Sequence, residues 1–420
     1  MKKSIVAIAQ GTDIAQMVGE VLAPLGGVKA LIKPKTTVVI KPNAGHVAPA
    51  ESAVNTNPAV VAAVIREVRT AGPKEIILAE ASAIGCDTME SLEASGILQA
   101  AKDAGVDRII DIKSDKDLIR LPIRDARSDI THMLLPRFLI EAEHIINLPI
   151  LKSHCSMVFT CALKNMKGVA QDKVHYQMHQ TDLAAAMMDL WSIIRADLSI
   201  ADLVRPAEGF GPHSTIPMDF GCLVAGKDPV AVDATVCRMI GLDVKRVAYF
   251  DPAVERGIGV YDEELIEVRG KSIKDVYKPL WLPYLEGFEK YPEYKIDTAG
   301  ACSSCMGLVQ LTMEKLKSLG EYEKNAGITV LVGRKKELPR GAPRGKDLIL
   351  HGDCLKRHRQ EGVFIGGCPP AEPHPLWAIV DRKDYTEIGP GLRERMAREA
   401  PYFEKHMEKL LQERNRSGKK

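Results

Sequence analysis

The chain has 420 residues, 45% of them apolar and 27% charged, a balance suited to a globular protein of two or three domains. Its 57 basic and 55 acidic residues leave a net charge of +2, so there is no electrostatic reason to expect nucleic acid or an anionic membrane as partner. No run of about 18 apolar residues occurs, which excludes a recognisable membrane helix.

Met-Lys-Lys at the start leads into the apolar stretch 5–9, which meets Gly11-Thr12-Asp13 without a cleavage pattern. A buried first strand is expected there rather than a signal peptide, and with it a cytoplasmic location. Further strands are expected at 37–40, 75–79, 144–148, 198–202 and 221–225, short runs rich in Ile and Val. Helical patterns lie between them. One opens at Asn57-Pro58, where Pro suits a first turn and Val60, Val61, Val64, Ile65 and Val68 recur at helical spacing. Others are expected at 89–104 and 181–195, and one ends near Gly241-Leu242-Asp243.

Around 276–294, Pro279, Pro283 and Pro292 among aromatic residues mark an irregular linker. Beyond it, a helix is expected at 308–319, strands at 328–333 and 347–350, a loop reaching Cys368, and a last helix at 391–415. This alternation predicts an α/β fold: a large N-terminal domain, 1–290, with a mixed, mostly parallel sheet, and a smaller C-terminal α/β domain, 291–420, which holds four of the cysteines.

The nine cysteines are unevenly placed. Cys86, Cys155, Cys161, Cys222 and Cys237 are scattered among apolar or small neighbours. The other four form a pattern: Cys302-x-x-Cys305, then 48 residues to Cys354, then 13 to Cys368-Pro369-Pro370. A Cys-x-x-Cys turn lets two thiolates face one centre. Gly307 and the Gly366-Gly367 turn leave room beside it, and Cys354 follows a strand that would present it at a sheet edge. Four thiolates and a Cys-Pro turn suit one [4Fe–4S] cluster. A [2Fe–2S] cluster, a four-cysteine zinc site, a redox dithiol at Cys302/Cys305 and simple burial are the alternatives, although zinc sites usually show two close pairs.

Polar residues gather where strands end. Lys41, Asn43 and His46 follow the second strand. Lys152 and His154 lie in the segment from Asn147, followed by Lys164, Asn165 and Lys167. Ligands of open α/β sheets bind beyond such strand ends. Lys41, Lys152 and Lys164 can hold a carboxylate or phosphate, and His154 can act as acid, base or ligand. Lys152, His154 and Lys164 are the catalytic candidates. His175 and His179, four apart, share a face if helical and can bind ligand or metal together. His213 follows a Gly/Pro loop, and Asp233 is either a ligand-binding residue or a helix cap. A solvated lysine and an ordinary Asp-Pro turn are the plain alternatives.

Lys41-Pro42-Asn43, Thr56-Asn57-Pro58, 147–154, 162–168, 208–212 and 228–233 together resemble the DUF362 family, over about residues 36–260. Members are largely uncharacterised, and many are described as iron–sulfur proteins of anaerobic metabolism with a ferredoxin-like module. That resemblance implies a cluster, but the present cysteines lack a ferredoxin run. The layout of 41–81 is also similar to the N-terminal domain of lactate racemase, which uses a nickel-pincer nucleotide.

Three functions are compatible with these features. One is an oxidoreductase or reductive activating protein passing single electrons to an anionic small molecule. Another is an electron carrier serving a redox partner protein. The third is a racemase-like isomerase with a structural cluster. No Gly-x-Gly-x-x-Gly follows a strand, so a Rossmann dinucleotide site is not expected. A homodimer is compatible with the sequence.

Overall fold

Strands here form where β-branched runs can be buried on both faces. Thr37–Lys41 and Glu75–Glu80 are almost wholly buried, as expected of parallel strands covered by helices. The computed structural model describes residues 3–154, 157–179, 181–211, 214–301, 303–367, 370, 372–386 and 390–416. The chain divides into two compact units. The first comprises Met1–Lys152, Phe159–Glu208 and Thr215–Trp281; the second comprises Ser153–Val158, Gly209–Ser214 and Leu282–Lys420.

In chain order the strands are β1 (Ser4–Gln10), β2 (Thr37–Lys41), β3 (Glu75–Glu80), β4 (Arg108–Asp111), β5 (Leu118–Pro122), β6 (His132–Pro136), β7 (His144–Asn147), β8 (Ile150–His154), β9 (Val158–Thr160), β10 (Leu198–Phe210), β11 (Ser214–Pro217), β12 (Cys222–Gly226) and β13 (Ile266–Gly270). The main sheet runs β13-β1-β12-β10-β7-β2-β3-β4, with β8 and β11 also against β10. The pairs β1–β13, β10–β7, β10–β8, β2–β7, β2–β3 and β3–β4 are parallel. Only β12 runs against its neighbours β1 and β10 in this path. The fold is therefore α/β with a large mixed, mostly parallel sheet. A separate hairpin-like pair, β5–β6, is antiparallel.

The helix Pro58–Arg69 forms as its spacing predicts. Asn57 caps it by accepting from the Ala59 N–H at 2.9 Å, and Val60, Val61, Val64, Ile65 and Val68 are buried against the sheet. Each such side chain contributes about 1.5–3 kcal/mol. A few of them offset the several kcal/mol that a buried ion pair costs, which lets this unit carry charge in its interior. The expected helix 89–104 is two helices, Thr88–Ala94 and Ile97–Asp103, broken at Gly96, whose φ of 75° leaves the helical region.

In the second unit β14 (Lys295–Asp297), β15 (Thr329–Val332), β16 (Gly345–His351) and β17 (Gly362–Ile365) form one parallel sheet in that order. Cys354 consequently follows an interior strand, not the sheet edge its sequence suggested. The loop expected before Cys368 contains β17, and the helix Pro373–Asp381 follows. Helix Ser303–Ser318 buries Cys305, Val309, Met313 and Leu316 in a core shared with Val330, Val332, Ile349, Ile365, Leu376 and Ile379. Among the described residues, no helix is long and apolar enough to cross a membrane.

Candidate functional site

Two adjacent parallel strands of the first unit each end in a charged residue. Lys41 closes β2 and Glu80 closes β3, and both are buried. Lys41 Nζ donates to Glu80 Oε1 and Oε2 at 2.9 and 3.0 Å and to the Pro42 carbonyl at 2.8 Å. The N–H groups of Ala44 and Ala81 donate to the same carboxylate at 2.9 and 2.8 Å. Burial pushes Lys41 down and Glu80 up, while their mutual attraction opposes both shifts.

An amide chain extends from this pair. Asn165 Oδ1 accepts from Lys41 Nζ at 3.3 Å and from Asn43 Nδ2 at 2.9 Å, and Asn165 Nδ2 donates to Asn147 Oδ1 at 2.7 Å. Asn147 Nδ2 donates to the Ala162 carbonyl at 2.9 Å. Asn43 is further fixed through its backbone N–H, which donates to Thr56 Oγ1 at 2.8 Å. Lys152, buried at 3% exposure, donates to Asn43 Oδ1 at 2.9 Å and to the Val54 carbonyl at 2.6 Å. Burial, then the positive charge of Lys164, lowers its pKa to about 7. Among the described residues, the Glu80 carboxylate acts on it in the opposite sense, favouring the charged amine.

The turn carrying Lys164 is held rigidly. Ala162–Asn165 is a four-residue helix whose first N–H groups, Ala162 and Leu163, donate to Asp233 at 2.6 and 3.0 Å. Trp191 Nε1 donates to the Leu163 carbonyl at 2.9 Å. Asp233, expected as a ligand-binding residue or a helix cap, has both carboxylate oxygens engaged by this backbone, and the cap of its own helix is Asp228. Burial raises Asp233 to about 7. Gly168 closes the turn against the ion pair, because a Cβ there would overlap the Glu80 carboxylate and the Lys41 amine.

His175 and His179 do share a helix, Asp172–His179, and both face Lys167. His175 Nε2 lies 2.7 Å from the Lys167 carbonyl, and His179 Nε2 lies 2.5 Å from Lys167 Nζ. Burial first, and then Lys167, lower the two imidazoles to about 3 and about 2. Burial and Lys164 likewise bring Lys167 well below its ordinary value. The result is a cluster of amines and neutral imidazoles at the carboxyl ends of parallel strands, suited to an anion. His46, also buried, lies on the loop after β2 with Nδ1 4.0 Å from Cys86 Sγ.

His154 is buried but groups with the second unit, as does the 209–214 segment. His213 lies outside the described residues, as do Cys155, Cys302 and Cys368. Sequence reasoning missed Glu80, although a carboxylate ending an apolar strand beside one ending in lysine was a readable signal. Cys161, Cys222 and Cys237 are buried in the first unit, their thiols pushed up by burial, which makes them inert packing residues.

In the second unit the ends of β16 and β17 are laced together. The Gly352 N–H donates to the Ile365 carbonyl at 2.9 Å, the Asp353 N–H to the Gly367 carbonyl at 3.0 Å, and the Gly367 N–H to Asp353 Oδ1 at 2.9 Å. These bonds join the residues flanking Cys354 and Cys368. Gly352 has φ 94°, and a Cβ added to it would lie 3.7 Å from Cys305 Sγ, 3.5 Å from the Gly367 oxygen and 3.8 Å from Pro370 Cδ. Three of the four cysteine-bearing segments thus meet around Gly352, with the Cys305 sulfur beside it. The donor chemistry and this arrangement fit an iron–sulfur cluster. Among the described residues alone, which omit Cys302 and Cys368, no three His, Cys, Asp or Glu groups converge as a metal site.

Comparisons with known proteins place this geometry in context. A thylakoid-associated protein of Synechocystis sp. is 29% identical over 235 residues, covering 53% of this chain and 68% of that protein. The lactate racemase apoprotein of Thermoanaerobacterium thermosaccharolyticum is 12% identical, with a TM-score of 0.38 over 57% of each chain. A structural-genomics protein of Thermotoga maritima is 17% identical, with a TM-score of 0.33 over 50% of this chain and 55% of its own. The chain spans little more than half the length of these two solved structures. The family model described as a domain of unknown function, DUF362, matches residues 38–238, the stretch that holds Lys41, Glu80, Lys152, Lys164 and Asp233. That match spans a little under half of the chain, and it is to this stretch that the similarity to DUF362 applies.

Proposed function

We propose that this chain is an iron–sulfur protein of reductive metabolism that binds a small anionic ligand at the lysine cluster of its DUF362 domain. Cys302, Cys305, Cys354 and Cys368 hold one [4Fe–4S] cluster. The observation that carries the reading is the meeting of segments at Gly352, where Cys305 Sγ lies beside the glycine and backbone bonds join the segments of Cys354 and Cys368. When bound, such a cluster supplies a one-electron couple.

The chain's own residues account for the rest. Lys152, Lys164 and Lys167 attract a carboxylate or phosphate. The Lys41–Glu80 pair and the Asn43–Asn165–Asn147 chain keep Lys152 aimed and dry. Electron delivery implies a redox partner protein, and cysteines serving as cluster ligands rather than disulfides suit a reducing cytoplasm.

The test is anaerobic purification followed by iron, sulfide and zinc analysis and an EPR spectrum of the reduced protein. About four irons and four sulfides per chain are expected, and Cys305→Ser should lower both. Stoichiometric zinc, or neither metal, would overturn the reading. Titration of the reduced protein with candidate anionic acceptors then separates an oxidoreductase from a carrier, which would discharge only to a protein.

Lys152 favours a second reading. A buried amine with a pKa of about 7 is matched to proton abstraction at neutral pH. In an isomerase of this kind Lys152→Met abolishes proton exchange at the substrate carbon, while cluster content stays constant.

A further inference from the structure

His351 is the last residue of β16 and is 1% exposed, yet neither ring nitrogen has a hydrogen-bond partner among the described residues. Buried polar atoms are rarely left so, and a bound ion or prosthetic group that they would meet is one reason when they are. The direction of the side chain follows from register. Val332, His351 and Ile365 are aligned across β15, β16 and β17. Aligned residues point to one face, and residues two apart on a strand share it. Val332, Ile365 and Ile349 all belong to the core layer that contains Cys305. Leu348, Leu350, Leu331 and Phe364 fill the opposite layer. His351 therefore enters the layer of Cys305, and the next residue, Gly352, is the one whose added Cβ would meet Cys305 Sγ.

We infer that His351 donates an N–H hydrogen bond to a sulfur of the cluster and so sets its reduction potential. This rests on the cluster assignment above. A neutral imidazole carries one N–H donor. Thiolate and sulfide accept such bonds, and a donor favours the reduced, more negative state, raising the potential. His351 is a positioning and tuning residue, not a ligand. Its packing among aliphatic side chains leaves it no competing acceptor in the described structure.

The experiment compares wild type, His351→Leu and His351→Gln, all purified anaerobically, by iron and sulfide content and by EPR-monitored redox titration. Equal cluster content is expected. The leucine variant should be harder to reduce by about tenfold in the one-electron equilibrium, about 59 mV. Glutamine, which restores an N–H, should recover much of that shift. Loss of iron from the leucine variant alone would also support the donor. An unchanged potential, equal shifts in both variants, or loss of iron from both would overturn it with the cluster reading intact. A wild type without iron and sulfide would overturn the cluster reading itself.

Discussion

Lys152 illustrates how a single side chain couples the anion site to stability. Its folded pKa of about 7 lies below the unfolded value of about 10.4. Below pH 7 both states hold the proton, and the folded state bears the full cost of a buried charge. Between about pH 7 and 10.4 the unfolded chain binds the proton that the folded chain has released, so this group makes stability rise with pH, by up to about 1.4 kcal/mol per unit. Lys152→Met should remove that part of the slope, measured by denaturant unfolding at pH 7 and pH 9. An anion beside the amine favours its charged form. Binding of inorganic phosphate should therefore take up protons and weaken above pH 7, and calorimetry in buffers of different ionisation heat would detect this.

The Lys41–Glu80 pair makes a contrasting prediction. Removing one partner strands the other charge in a buried site, so Glu80→Gln should cost about 3–5 kcal/mol. Replacing both by Met and Leu should cost far less, because nothing charged remains buried. If the double variant is as unstable as the single one, the carboxylate's bonds to the Ala44 and Ala81 N–H groups matter more than the pair itself.

At the scale of elements, the helix Asp172–His179 holds two imidazoles neutral against Lys167. His175, with a folded pKa near 3 against about 6.5 unfolded, favours the folded state above pH 6.5, and that contribution is lost as pH falls toward 3. His175→Gln should flatten the acid limb of an unfolding profile across that window, leaving stability at pH 8 nearly unchanged.

The same elements divide what the sequence revealed from what it hid. Strands β1, β2, β3, β7 and β12 and the helix after Asn57 are legible because burial on both faces produces continuous apolar runs and Asn-Pro marks a first turn. β17 looks like loop in the sequence because four residues, Gly362–Ile365, carry too little periodicity. The break at Gly96 was masked by helical spacing on both sides. Lys41, Lys152 and Asn165 were found because lysines and amides at strand ends are unusual. The role of Glu80 depends on β2 and β3 becoming neighbours, and that of Asp233 on its helix, Pro229–Met239, packing against the turn at Ala162 and Leu163.

For the molecule as a whole, the second unit is not simply the C-terminal part of the chain. It includes Ser153–Val158 and Gly209–Ser214, short excursions from within the DUF362 stretch. Tyr284 OH donates to the Gly211 carbonyl at 3.0 Å, and the Gly211 N–H donates to Ser153 Oγ at 3.0 Å. The Phe210 ring meets Tyr284 edge-on at 5.3 Å and Phe403 at 6.0 Å, leaving Phe210 1% exposed. Cutting the chain after Trp281 removes both aromatic partners and uncovers that ring together with the backbone polar groups around it. The fragment 1–281 should therefore melt well below the full chain and bind a hydrophobic dye such as ANS, even though it retains the whole main sheet. A fragment that melts as the full chain does, without dye binding, would mean that the two excursions are stable without residues 282–420 and that the anion site can be studied in isolation.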